Sequence, residues 1–111
     1  MATQEQARDF ALRLPEAAPG SHHGRADLRV RNKIFATLPP DGSLVLKTTP
    51  GNLDALLAAG GGAFRKVWGE RWVGVDVSRL ELEELEDLIV DAWRLAAPKS
   101  LVRTFDHERG G

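Results

Sequence analysis

Apolar residues fall at helical spacing near the start of the chain, at every second position through its middle, and at helical spacing again toward its end. Ala7, Phe10, Ala11 and Leu14 make one helical stripe. Thr3 is placed to cap that helix, with Gln6 as its capping-box partner, and Pro15 ends it. Between Asp27 and Lys47 the period switches to two. Leu28 and Val30 fall on one face of a strand, with Arg29 and Arg31 on the other. The residues before it, from Gly20, read as an irregular start to the same strand. Asn32 tolerates positive φ and marks a tight turn into a second strand, Lys33 to Leu38. Pro39-Pro40-Asp41-Gly42 is a strong turn signal, and Ser43 to Thr48 is the third strand. Links this short require antiparallel pairing.

Thr49-Pro50 opens a second helix as N-cap and first helical residue, with Leu53, Leu56 and Leu57 as its buried stripe. Gly60-Gly61-Gly62 stops it, and the first glycine suits a left-handed C-cap. The triple glycine ends a helix instead of starting one and lacks the Gly-Lys-Ser/Thr continuation, so it is no phosphate loop. Phe64–Trp68 and Arg71–Val77 flank Gly69-Glu70 and read as a hairpin with a two-residue type II′ turn. Val73, Val75 and Val77 share one face of it; Trp72, Gly74 and Asp76 share the other. Trp68 and Trp72 are read first as packing residues, with a ligand platform as the lesser reading. Ser78 and Glu81 suggest a capping box for a last helix, whose stripe is Leu82, Leu85, Leu88, Ile89, Ala92, Trp93 and Ala96. Pro98 marks its end or a kink, and the charged residues 102–111 read as a mobile tail.

The order is helix, three strands, helix, two strands, helix. This predicts an α+β fold with helices packed on an antiparallel sheet, in a single domain over 1–111. With 111 residues and 42% apolar composition, the chain can build a core without a staple. It contains no cysteine, which excludes thiol catalysis, cysteine-ligated zinc and a disulfide framework, and fits a cytoplasmic location. Its polar start is no signal peptide, and no apolar run approaches a membrane span.

A formal net charge of −1 gives no global attraction to nucleic acid, but the charge is unevenly spread. Residues 22–47 carry a local balance of +3 plus two histidines, whereas Glu81, Glu83, Glu84, Glu86, Asp87 and Asp91 have no cation among them. Arg25, Arg29, Arg31, Lys33 and Lys47 are therefore the candidate contacts for nucleic-acid phosphates or for an acidic protein surface. Other chemistry is thin. His22 and His23 are neighbours on a strand and point to opposite faces, so with Asp27 and the distant His107 they do not form a metal site. No serine sits in a Gly-x-Ser-x-Gly elbow, and Ser78 is better explained as a cap. Asp76 is the one acid expected to be partly buried. The residues imply neither an enzyme nor a cofactor.

The ordered series of segments resembles the MmcQ/YjbR family. The matching pieces are the first helix running into Leu14-Pro15-Glu16-Ala17, then Val30-Arg31-Asn32-Lys33-Ile34-Phe35-Ala36, then Leu44-Val45-Leu46-Lys47 before a helix. Trp72-Val-Gly-Val-Asp-Val leading into Glu83-Glu84-Leu85-Glu86-Asp87-Leu88-Ile89 and Trp93-Arg94-Leu95-Ala96 completes the series. The resemblance covers about residues 5–101. It implies an α+β domain of a family often labelled double-wing DNA-binding, with a fold-level likeness to secretion chaperones. Two departures weaken any shared ligand. Lys66-Val-Trp-Gly-Glu-Arg71 stands where relatives often carry a His-x-Asn-Lys-type run, and Ala92-Trp93 stands where many carry Ser-Tyr. Weak nucleic-acid binding through the basic strands is the leading expectation. A protein-interaction or self-associating module that never touches DNA is the alternative.

Overall fold

The structure, a computed structural model, describes residues 2–59 and 61–110. Helix α1 (Gln4–Leu12) begins as expected. The Thr3 hydroxyl accepts from the Gln6 N–H at 3.1 Å, and the Gln6 side chain accepts from the Thr3 N–H at 3.0 Å. Gln4 Nε2 also donates to the carbonyls of Pro39 and Ser43, at 2.8 and 2.7 Å, tying the helix to the turn between the third and fourth strands.

The first β segment differs from expectation. Two strands, β1 (Ala17–His22) and β2 (Arg25–Val30), occupy the stretch read as one, joined by His23-Gly24 with φ of 51° and 76°. β1 lacks apolar alternation because it is an edge strand, where Pro19 costs no ladder bond on its open side. Arg31 and Asn32, with φ of 47° and 65°, turn the chain into β3 (Lys33–Thr37), followed by β4 (Leu44–Lys47). β5 (Phe64–Lys66) and β6 (Trp72–Val75) complete a six-stranded antiparallel sheet ordered β1-β2-β3-β4-β6-β5. The β5–β6 pairing closes at Lys66 opposite Val73, so the connection is longer than the two-residue turn expected.

β3 carries an irregularity that decides which side chains share a face. Asp27 pairs with Thr37 and Leu28 with Ala36, but Arg29 pairs with Ile34 and Val30 with Lys33. Phe35 is the extra residue, a β-bulge. Phe35 and Ala36, neighbours in sequence, are both buried as a result.

Helix α2 (Pro50–Ala58) has Thr49 as its cap and buries Leu53, while Leu56 packs partly against the core. Leu57, expected in the stripe, is exposed. The expected glycine cap at Gly60 lies outside the described residues. A 3₁₀ turn (Val77–Arg79) follows β6. Ser78 belongs to this turn and does not cap the next helix: Asp76, half-buried, accepts from the Ser78 hydroxyl at 2.6 Å and from its N–H at 3.2 Å. Glu81 is instead the N-cap of α3 (Leu82–Ala96), its N–H bonded to the Glu84 carboxylate at 3.2 Å. Leu82 is exposed, while Leu85, Ile89, Ala92, Trp93 and Ala96 are buried as the periodicity predicts.

Residues expected to form a mobile tail are helix α4 (Lys99–Gly110). Phe105 packs on Trp93 with ring centroids 4.8 Å apart, and Arg94 bridges Asp106 at 2.6 Å. One apolar residue per turn suffices when a large buried ring is waiting for it, which a polar composition conceals. α1 and α3 pack together, and α3 also lies on β2, β3 and β4. The core forms between that helix layer and the row Leu28, Ala36, Leu46, Val73. The opposite sheet face is left to the loops and to solvent.

Candidate nucleic-acid interface

The cross-strand pairs identify the residues on the outer face. They run from Ala18, Gly20 and His22 on β1, through Arg25, Asp27 and Arg29 on β2, to Ile34 and Thr37 on β3. Beyond these lie Val45 and Lys47 on β4, Gly74 and Trp72 on β6, and Arg65 on β5. The β5–β6 loop folds back over this face. Val67 Cγ1 and Arg65 Cγ approach Gly74 so closely that a Cβ there would lie 2.9 and 2.8 Å from them, so the position requires glycine. The same loop brings Trp68 over the sheet, where it lines a cavity of about 280 Å³ with His22, His23, Arg25, Asp27, Ile34 and Thr37.

The five cations picked out in the sequence do not form one strip. Arg29 is consumed internally. Its Nε and Nη2 donate to the two Asp27 oxygens at 2.9 and 3.0 Å, Nη2 also reaches the Ser21 carbonyl at 2.9 Å, and Nη1 the Asn32 side chain at 3.1 Å. Asp27 is only 1% exposed, so this fork neutralises a buried carboxylate. Gly20 makes room for the pair, since a Cβ there would lie 2.6 Å from Asp27 Oδ1 and from Arg29 Nε. Arg31 stands in the β2–β3 turn and forks onto Glu16 at 2.8 and 3.0 Å. Lys33 lies across from Val30 at the Arg31-Asn32 turn, and so belongs to the side opposite Arg29. Arg25 and Lys47 remain on the outer face, and among the described residues neither is in an ion pair. Lys47 Nζ sits 5.2 Å from the centre of the Trp72 ring.

The tryptophans also depart from the packing reading. Trp68 is 48% exposed and Trp72 half-buried, with ring centroids 6.3 Å apart, whereas Trp93 alone of the three is fully enclosed. Arg65 was not legible as a site residue, because only the register with Gly74 assigns it to this face. The acidic face of α3 belongs to the opposite layer, so charge is segregated across the sheet. Among the described residues no group of three or more histidines and carboxylates could hold a metal ion.

The carboxylates give the domain an acid limit. The Arg31 guanidinium bound to Glu16 holds that carboxyl below its ordinary value. The Ser43 hydroxyl and N–H do the same for Asp41, and those of Ser78, with Arg79, for Asp76. A depressed folded-state value adds stability that is complete above the ordinary carboxylate range and is lost as pH falls through the folded value. Desolvation raises Asp91, which acts in the opposite direction over the same range. With three groups against one, the thermal midpoint is expected to fall as pH drops below about 4, measurable by circular dichroism melts in a pH series. A midpoint that rises on acidification would contradict this balance.

A two-layer α+β domain, helices on one side and a cation-bearing sheet face on the other, is the class this architecture defines. The chain belongs to the YjbR family, whose sequence model matches residues 12–95. It is similar in structure to a Deinococcus radiodurans protein with a DUF419 domain. That likeness has a TM-score of 0.76 and 20% identity over 99% of this chain and 89% of the other. It is also similar to a Pseudomonas syringae protein, with a TM-score of 0.67 and 21% identity over 84% of this chain and 97% of the other. No match is found among functionally curated proteins. The family expectation and the α+β class therefore hold, with four helices and six strands among the described residues in place of three and five. Among the described residues no helix is long and apolar enough to cross a membrane.

Proposed function

We propose that this protein is a non-catalytic binding module of the cytoplasm whose outer sheet face engages nucleic acid, single-stranded segments above all. One observation carries the reading: a half-exposed indole, Trp68, stands on the same face as Arg25, Lys47 and Arg65. Stacking platforms interleaved with phosphate-contacting cations are what an unpaired strand needs, because each base offers a ring face and each linkage a charge. A duplex hides its ring faces and would use only the cations. The acidic helix layer, turned away, would keep the strand on one side. For catalysis the serines offer little, since the Ser43 and Ser78 hydroxyls both donate to aspartates in local turns at 2.6 Å.

Fluorescence anisotropy of a labelled single strand of about ten nucleotides, and of a duplex of equal length, tests the reading. With two or three phosphate contacts, single-strand affinity should drop roughly tenfold between about 50 and about 200 mM salt. The duplex should bind more weakly at every salt concentration. No binding at the low-salt end removes nucleic acid as the partner and leaves an acidic protein surface or self-association. Tighter duplex binding removes the stacking argument.

A further inference from the structure

We infer that the cleft between α2 and α3 is a docking site for a short basic amphipathic helix of a protein partner, with one apolar side chain seated in the cleft and its Lys or Arg residues against Asp91 and Asp87. This is a second surface, on the layer opposite the proposed strand-binding face. Three observations carry it. The helix layer parts here: α2 packs on β5, whereas α3 packs on α1, β2, β3 and β4. The gap between them is a cavity of about 190 Å³ floored by Leu46 and Val73. That is smaller than a drug-sized ligand site and suits the anchor side chain of a larger partner.

The second observation is that α2 is apolar on the side that meets water. Asp54 is the one charged residue in Pro50–Ala58. Ala55, Leu57 and Ala58 are nevertheless exposed, and Leu56 is half-buried. A helix of that composition is ordinarily enclosed. Ala55 and Leu56 line one wall of the cleft, and Leu88 and Leu95, two turns apart on α3, line the other, with Leu95 42% exposed.

The third observation is charge. Asp87 and Asp91 stand one turn apart on α3, both exposed, and among the described residues neither is in an ion pair. Asp91 lines the cleft itself, open to an incoming group. The nearest cations are engaged elsewhere: Arg94 bridges Asp106, and the Lys47 ammonium lies over the Trp72 ring. Desolvation raises the Asp91 carboxyl, Arg94 offsets part of that, and Asp87 adds to it. A cation brought by the partner relieves this, so the surface specifies the charge of its occupant as well as an apolar anchor. Apolar anchors at helical spacing beside cations are what helix-in-groove recognition reads.

Fluorescence anisotropy of a labelled Leu/Lys amphipathic peptide of about 15 residues, titrated with the full chain, tests the cleft. It should bind saturably. A peptide of equal charge with alanine for leucine should bind about tenfold more weakly, and a Leu/Glu peptide not at all. Leu95→Ala should weaken the Leu/Lys peptide about tenfold, and Asp91→Asn about fivefold. Both positions are exposed, so the thermal midpoint should barely move in either variant. Trp68→Leu, on the other face, should leave peptide affinity unchanged. Equal binding of the alanine peptide would reduce the contact to charge alone and overturn the proposal, as would unchanged affinity in Leu95→Ala. A dimer seen by light scattering and dissociated by Leu95→Ala would give the cleft to a second copy of this chain and overturn the proposed partner. Each face is read by its own probe, so the strand-binding reading and this one fail separately.

Discussion

Trp93→Ala is expected to cost about 3–5 kcal/mol, a large share of the stability of a domain of this size. Three separate segments depend on the indole. It is fully buried on α3, its Nε1–H donates to the Pro15 carbonyl at 3.1 Å, and its ring faces Phe105 of α4. Alanine leaves a cavity, an unpaired carbonyl at the α1–β1 link, and a last helix without its anchor. Trp93→Phe restores most of the volume but not the N–H, so its loss should be about 1–2 kcal/mol. Chemical denaturation gives both numbers. Amide exchange should show residues 99–110 losing protection first in the alanine variant. Protection there equal to the wild type would mean that α4 is held by something other than this ring pair.

Removing Trp68, Arg25 and Lys47 together should weaken single-strand binding by about 100-fold, from one lost stack and two lost phosphate contacts. The salt slope should fall by about 1.4, because each single-strand contact contributes about 0.7. These side chains lie on the outer face with Trp68 and Arg25 exposed, so the thermal midpoint should barely move. Arg29→Ala with Arg31→Ala makes the decisive control. Sequence alternation puts these arginines first among the contacts, yet both are forked onto carboxylates. The pair should lower the melting temperature, by stranding the buried Asp27, and leave the salt slope unchanged. The reverse pattern, a lost slope with an intact melt, would return the interface to the β2–β3 turn and refute the assignment made from the fold.

Helices announced themselves in the sequence where local chemistry decides them. Thr3 with Gln6 and Thr49 with Pro50 cap as read, and the α3 stripe from Leu85 to Ala96 is buried as read. The misreadings share a cause: tertiary pairing overrode local pattern. β1 has no alternation and exists because β2 offers it an edge. Ser78 looked like a helix cap, but Asp76 claimed it first. α4 is polar in composition and is held through Phe105. The site was legible in part. Arg25, Lys47 and the two tryptophans were visible as candidates, but their grouping was not, because charge pairing across Glu16–Arg31 and Asp27–Arg29 joins residues by space and not by period.

The extra residue at Phe35 carries a consequence for how such chains can diverge. Before it Lys33 and Ile34 keep step with Val30 and Arg29, and after it Ala36 and Thr37 keep step with Leu28 and Asp27, so the pairing is that of a regular hairpin with one residue inserted. Losing the Phe35 codon would therefore leave every other side chain of β3 on its present face and remove only a fully enclosed ring from the core. The length of this strand can thus change between relatives without redrawing the surface that a partner meets.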